Sequence, residues 1–189
     1  VSVALIFLLL VLQFNSFSKT VIILSEVIFS IIGVMLGLGI FKTDFSIAIS
    51  GIGIVALAGI VVRNGILLVE FMDLMMGQGM SPYDAIVEAG RTRMTPVLLT
   101  ATAAILGLIP LAVGLNIDFG ALFSELNPHL FFGGDSADFW APLAWTMIYG
   151  LSFATFLTLI LVPVLCLLAF RFKAWVARQR ERIKAAVEE

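Results

Sequence analysis

The chain has 189 residues, 61% hydrophobic and 13% charged, with a mean hydropathy of +1.12. Soluble globular domains run about 45–50% apolar and about 25% charged, so this balance excludes that class and implies a polytopic α-helical membrane protein. The net charge of −2 decides little because the charges are segregated along the chain, and the single Cys166, inside an apolar run, is a packed thiol with no internal disulfide partner.

Apolar stretches near the ~20 residues needed to cross a bilayer recur. They predict five transmembrane spans, at 1–14, 21–41, 45–72, 96–114 and 142–170. The first is shorter than a full crossing, begins with Val, and has no cationic segment before it. It therefore reads as a truncated helix rather than a signal peptide, and the chain as a piece of a longer protein. The polar turn 13–19 and the tripeptide Lys42-Thr43-Asp44 are short, as between antiparallel neighbours. The polar segment 77–93 carries its own helix signal: Ser81 as N-cap, Pro82 at the first helical position, Asp84 at the third, and Gly90 as a stop. A separate amphipathic connector over 80–90, lying on the membrane surface, is expected.

Orientation follows from Lys and Arg. Arg91 and Arg93 precede the fourth span, and the tail 171–189 carries Arg171, Lys173, Arg178, Arg180, Arg182 and Lys184. The 115–141 loop holds Asp118, Glu125, Asp135 and Asp138 and no Lys or Arg. The positive-inside rule puts the tail and the 73–95 connection in the cytoplasm, with 115–141 and Lys42-Thr43-Asp44 outside. Trp140 and Trp145 fit an outer aromatic belt and Trp175 an inner one. The basic tail fits attraction to anionic lipid.

Small and polar residues repeat at helical spacing, which predicts close helix packing in a bundle that either moves internally or packs against helices outside this sequence. Glu26, Ser30, Gly33 and Gly37 form one stripe, and Thr100, Ala103, Gly107 and Gly114 a second. Ala56 and Gly59 share the Arg63 face, with Glu70 two turns on, and Ser46, Ser50, Gly53 and Asn64 lie alongside.

Arg63 and Asn64 interrupt the apolar run from Ser46 to Met72. A cation at the bilayer centre costs ~2.5–3.5 kcal/mol on insertion scales, and intramembrane ionisable residues mark functional pathways by default. Two readings stand: a charge site in a proton or ion pathway, or a structural ion pair or snorkelling side chain. Arginine stays protonated, so it can hold a carboxylate ionised and be released when that carboxylate takes a proton, without carrying the proton itself. Glu26 is the acid well inside the second span. Without a cation beside it, such a carboxyl becomes protonatable near neutral pH; the other reading is a hydrogen-bonded glutamic acid on a packing face. Thr100, Thr102, Thr155 and Thr158 could relay protons through water, or bond their own helix carbonyls. His129 has no companion Cys or His, so no metal site is read. Gly133-Gly134-Asp135 is a turn rather than a phosphate loop. No nucleophile–base arrangement, cofactor motif or nucleic-acid signature is present, so an enzyme is not expected.

The segments Gly59-Ile-Val-Val-Arg-Asn-Gly-Ile-Leu-Leu-Val-Glu-Phe71, Glu88-Ala-Gly-Arg-Thr-Arg-Met-Thr-Pro-Val-Leu-Leu-Thr100, Gly107-Leu-Ile-Pro-Leu111 and Phe156-Leu-Thr-Leu-Ile-Leu-Val-Pro-Val164 resemble the C-terminal membrane half of resistance-nodulation-division (RND) efflux pumps. The resemblance covers nearly the whole chain and is closest to the hydrophobe/amphiphile (multidrug) branch. The heavy-metal branch differs around the charged position. It implies an all-α fragment of a twelve-span domain, from a partial eighth span to the twelfth, in a multi-pass bacterial inner-membrane protein. It further implies a homotrimer with periplasmic porter domains, working with a periplasmic adaptor and an outer-membrane channel. Family members typically carry Lys where this chain has Arg63, paired with two aspartates on the fourth span, which lies outside this sequence. Asn64, Arg93 and Thr100 match residues tied to proton coupling. Arg63 retains the cation role while excluding a neutral-lysine step. Glu26 and the acidic 115–141 loop depart from the family pattern.

The resulting expectation is the proton-translocating membrane portion of a proton-driven RND exporter of drugs or other amphiphiles. Arg63, Asn64, Arg93 and Thr100 would carry the coupling, with Glu26 as a further candidate. The alternatives are an RND relative exporting lipid, metal or another envelope component, and a non-transporting membrane scaffold or gene remnant.

Overall fold

The computed structural model describes residues 2–43, 45–117 and 130–188. Expectations resting on Asp44, Asp118, Glu125 and His129 lie outside the described residues.

Helix α1, Ser2–Phe14, ends where Asn15 takes a left-handed φ of 43°, and α2, Phe17–Phe41, ends on Lys42 at φ 51°. Left-handed backbone at non-glycine residues marks a turn, and both lie at the short polar connections. The second helix starts earlier than the expected 21, so Lys19 belongs to its first turn. Helix α3, Ile47–Gly77, runs 31 residues with Arg63 near its middle.

Helix α4, Pro82–Ala112, begins as expected: the Ser81 hydroxyl accepts from the Asp84 N–H at 3.2 Å, and Pro82 occupies the first position. It does not stop at Gly90. The connector expected over 80–90 and the span expected from 96 are one helix, passing through Gly90 and Pro96. A helical glycine costs only about 1 kcal/mol relative to alanine. Burial of Ala85, Ile86 and Ala89, the latter two in one apolar cluster with Val69 and Met72 of α3, outweighs it.

The 115–141 segment is not wholly loop. Strand β1, Leu115–Ile117, pairs antiparallel with β2, Leu130–Phe132, in the register Leu115↔Phe132. Helix α5, Asp135–Glu188, then starts ahead of the expected 142, with Asp135 and Asp138 in its first turn, where carboxylates favour the helix N-terminus. It continues through 171–188, so the described part of the expected basic tail is helical.

Among the described residues, four helices are long and apolar enough to cross a membrane: α2, α3, α4 and the Asp135–Val176 part of α5. The shorter α1 lies against α2, and α5 packs on α2, α3 and α4. Two apolar clusters fill the interior. One holds Ile23, Val27, Val62, Leu68 and Val162, the other Val34, Leu57, Val61, Ala101 and Leu151. Antiparallel order is pinned at both ends. Lys19 Nζ meets Asp73 Oδ1 at 2.6 Å, joining the start of α2 to the end of α3, and Phe41 stacks on Tyr149 at 5.1 Å between ring centroids.

The α2 stripe packs as expected: Glu26, Ser30, Gly33 and Gly37 are all buried. A Cβ at Gly33 would stand 2.6 Å from Phe153 Cδ1, so glycine there is what lets α2 and α5 approach. The α4 stripe does not pack within this chain. Thr100, Ala103 and Gly107 are exposed, because α4 turns Val97 and Ala101 inward instead. On α3 the two stripes separate: Ser50, Gly53 and Asn64 face the interior, whereas Ala56, Gly59 and Arg63 face out.

Candidate functional site

The residues between α3 and α4 repeat at three and four positions. Ile60, Arg63, Asn64 and Leu67 share one side of α3, and Arg93, Val97, Thr100 and Ala104 share one side of α4, so both rows meet across one groove. A cavity of about 210 Å³ lies there, lined by all of these together with Pro96 and Ala101. Four candidates read from sequence thus come together: Arg63, Asn64, Arg93 and Thr100.

Arg63 is exposed, and among the described residues no carboxylate lies within 4 Å of it; the ion pair among those residues, Lys19–Asp73, lies elsewhere. Asn64, the next residue, is 7% exposed and turns inward. The Arg93 guanidinium carbon lies 4.5 Å from the centroid of the Phe71 ring, and its buried Nε has no hydrogen-bond partner. A guanidinium over an aromatic face gains ~0.5–2 kcal/mol and keeps its remaining N–H donors free. The Thr100 hydroxyl donates to the Val97 carbonyl at 3.0 Å, so its oxygen can still accept. Two cations therefore border a largely apolar groove with no anion among the described residues that line it. Such a site attracts carboxylates and holds them ionised.

Glu26 is not part of this groove. It lies on α2 against Gly65, which is about 200° around α3 from Arg63 at 3.6 residues per turn. It is 3% exposed. Its Oε2 accepts from the Thr158 hydroxyl at 2.8 Å, and its Oε1 has no donor. Thr158 is the one relay candidate whose hydroxyl leaves its own helix; Thr155 donates to the Leu151 carbonyl at 2.7 Å.

Sequence reasoning missed Phe71 as the support of Arg93, a contact between two different helices. It also missed the Glu26–Thr158 bond, which joins positions 132 residues apart, and the cavity of about 390 Å³ beside Lys19, Asp73, Cys166 and Lys173. No periodicity within one helix could signal these. Among the described residues, no three His, Cys, Asp or Glu side chains gather as a metal-holding group.

Comparison with known proteins adds an independent line. Residues 1–118 match the family described as AcrB/AcrD/AcrF. The swarming motility protein SwrC of Bacillus subtilis is 34% identical over 91% of this chain and 15% of its own length. The multidrug resistance protein MdtC of Erwinia tasmaniensis is 32% identical over 88% of the chain and 14% of its own length. The cobalt-zinc-cadmium resistance protein CzcA of Cupriavidus metallidurans is 32% identical over 90% and 14%. A crystal structure of a heavy metal efflux pump superposes with a TM-score of 0.66 at 31% identity, covering 88% of this chain and 14% of that one. The chain thus spans only about one seventh of the length of these relatives.

Proposed function

The chain belongs to the AcrB/AcrD/AcrF family of RND transporters, and on that basis we propose that it forms part of the proton-translocating membrane domain of an exporter that drives drugs or other amphiphiles outward against an inward proton flow. The observation that carries this reading is the groove between α3 and α4, where Arg63 and Arg93 stand beside Asn64 and Thr100 with no acid among the described residues lining it. A helix from the rest of the transporter, carrying carboxylates, would complete it. Ionised, those carboxylates pair with Arg63, and the planar guanidinium can engage them bidentately. Protonated from outside, they release it, and Arg63 reorients while Asn64, Thr100 and Arg93 adjust. The differential pairing of Arg63 in the two states biases the helix arrangement.

The same reading orients the segment in a bacterial inner membrane with the end of α5 and the α3–α4 connection in the cytoplasm and the β1–β2 side outside, as the Lys and Arg distribution favours. It includes a homotrimer, a periplasmic adaptor and an outer-membrane channel. Metal export is the second reading, favoured by the likeness to CzcA and to the heavy metal efflux pump structure. In the complete transporter, Arg63→Met should abolish export of an amphiphilic dye from energised cells while leaving membrane abundance near normal. Export at the parental rate would sink the coupling role. Dye export unchanged by inactivating the whole transporter, together with lost tolerance to zinc or cobalt, would favour metal.

A further inference from the structure

Glu26 stands where three helices meet. Its carboxylate belongs to α2, accepts from Thr158 of α5 at 2.8 Å, and fills the space in front of Gly65 of α3. A Cβ at Gly65 would stand 2.9 Å from the carboxyl carbon and 3.0 Å from Oε2, so any larger residue there requires this carboxyl to shift. Gly65 directly follows Asn64 and lies on the far side of α3 from Arg63. Any rotation or slide of α3 that swings Arg63 in its groove must therefore move Gly65 across this carboxyl. The carboxyl is 3% exposed and bonded to α5, so a shift of it is felt by Thr158.

We propose that Glu26 is a positioning residue for the Arg63–Asn64 turn, transmitting displacement of α3 to α2 and α5 through its contact with Gly65 and its hydrogen bond from Thr158. This rests on the transport reading above and assigns Glu26 a role different from that of a residue in the groove. Packed interfaces of this kind are bistable rather than continuously deformable, so a small shift on one side is passed on as a shift of whole elements.

The test uses the complete transporter in proteoliposomes, with proton uptake and substrate export measured together. Gly65→Ala should lower export about tenfold, within the range of coupling changes seen at such positions. Glu26→Asp, shorter by one methylene, should bring the Gly65→Ala protein back to within about threefold of the parent. Thr158→Ser should keep export and Thr158→Val should lower it, with proton uptake falling less than export. A residue that merely supports folding would lower both in step, and that result would overturn the proposal. So would parental export by Gly65→Ala, or no rescue by Glu26→Asp. Where Gly65→Ala does not accumulate, the near-isosteric Thr158→Val decides alone. Arg63→Met is run beside these. If it abolishes export while the Glu26 series is silent, only the positioning inference fails. If Arg63→Met itself is silent, the transport reading fails first.

Discussion

Replacing Thr158 with valine deletes one hydroxyl at nearly constant volume and leaves Glu26 with two buried, unpartnered oxygens where it now has one. Stranding a buried acceptor costs about 1–3 kcal/mol. Interhelical hydrogen bonds in membrane proteins measure lower, averaging ~0.6 and reaching ~1.7 kcal/mol, because the unfolded chain in lipid finds other partners. Both Thr158 and Glu26 are nearly inaccessible here, at 2% and 3% exposure, so no water or lipid group can substitute. The upper part of the measured range applies, and Thr158→Val should destabilise by about 1–2 kcal/mol. The assay is unfolding of the purified membrane protein in mixed micelles, with Thr158→Ser as the control that keeps the donor. Removing both partners, as Glu26→Leu with Thr158→Val, should recover most of the loss, since apolar replacement of a whole pair is nearly neutral. A Thr158→Val protein as stable as the parent, or a double variant less stable than either single one, would refute the reasoning.

Other consequences are as direct. Lys19→Gln breaks the ion pair with Asp73, but these side chains are 26% and 33% exposed, so the loss should stay below ~1 kcal/mol and shrink with added salt in the same unfolding assay. Gly33→Val would drive a branched side chain into Phe153 and should cost about 1–3 kcal/mol by overpacking, with weaker crosslinking between cysteines placed on α2 and α5. Phe71→Leu removes the ring beneath Arg93 and should lower export several-fold while leaving abundance unchanged, read by dye efflux. Cys166 is 4% exposed, so it should resist a water-soluble maleimide in the folded protein and react once the protein is unfolded, read by mass shift.

The helical class and the membrane-crossing segments were legible because each depends on composition and spacing within one helix. Arg93 and Thr100, by contrast, were picked out by the family resemblance, and their meeting with Arg63 and Asn64 depends on how α3 and α4 pack. Arg63 and Asn64 share their side of α3 with Ile60 and Leu67, and Arg93 and Thr100 share theirs on α4, whatever else surrounds them. The helix limits were less legible. Hydropathy changes where side chains leave the apolar layer, not where backbone hydrogen bonding stops, which is why α4 starts at Pro82 and α5 at Asp135 rather than at the edges of their apolar runs. Gly90 looked like a stop because the sequence does not reveal that Ile86 and Ala89 would join Val69 and Met72. The stripe at Thr100, Ala103 and Gly107 stays exposed, which matches only the alternative that it packs against helices outside this chain. Small residues permit close approach, but which neighbour approaches is decided by the other helices. Glu26 was a candidate because it is an acid well inside the second span, on the stripe with Ser30, Gly33 and Gly37, and the fold puts it behind α3 and beside Thr158.

The exposed position of Arg63 also bears on how such a segment enters a membrane in the first place. At mid-helix its charge opposes insertion by ~2.5–3.5 kcal/mol, yet the rest of α3 is apolar enough, at a mean hydropathy of 2.3 in its best window, to carry it across. Its apolar neighbours offset that cost. Should the completing carboxylates reside on a helix made earlier, synthesis order becomes part of the design: the acid waits in the membrane, and the arginine arrives second.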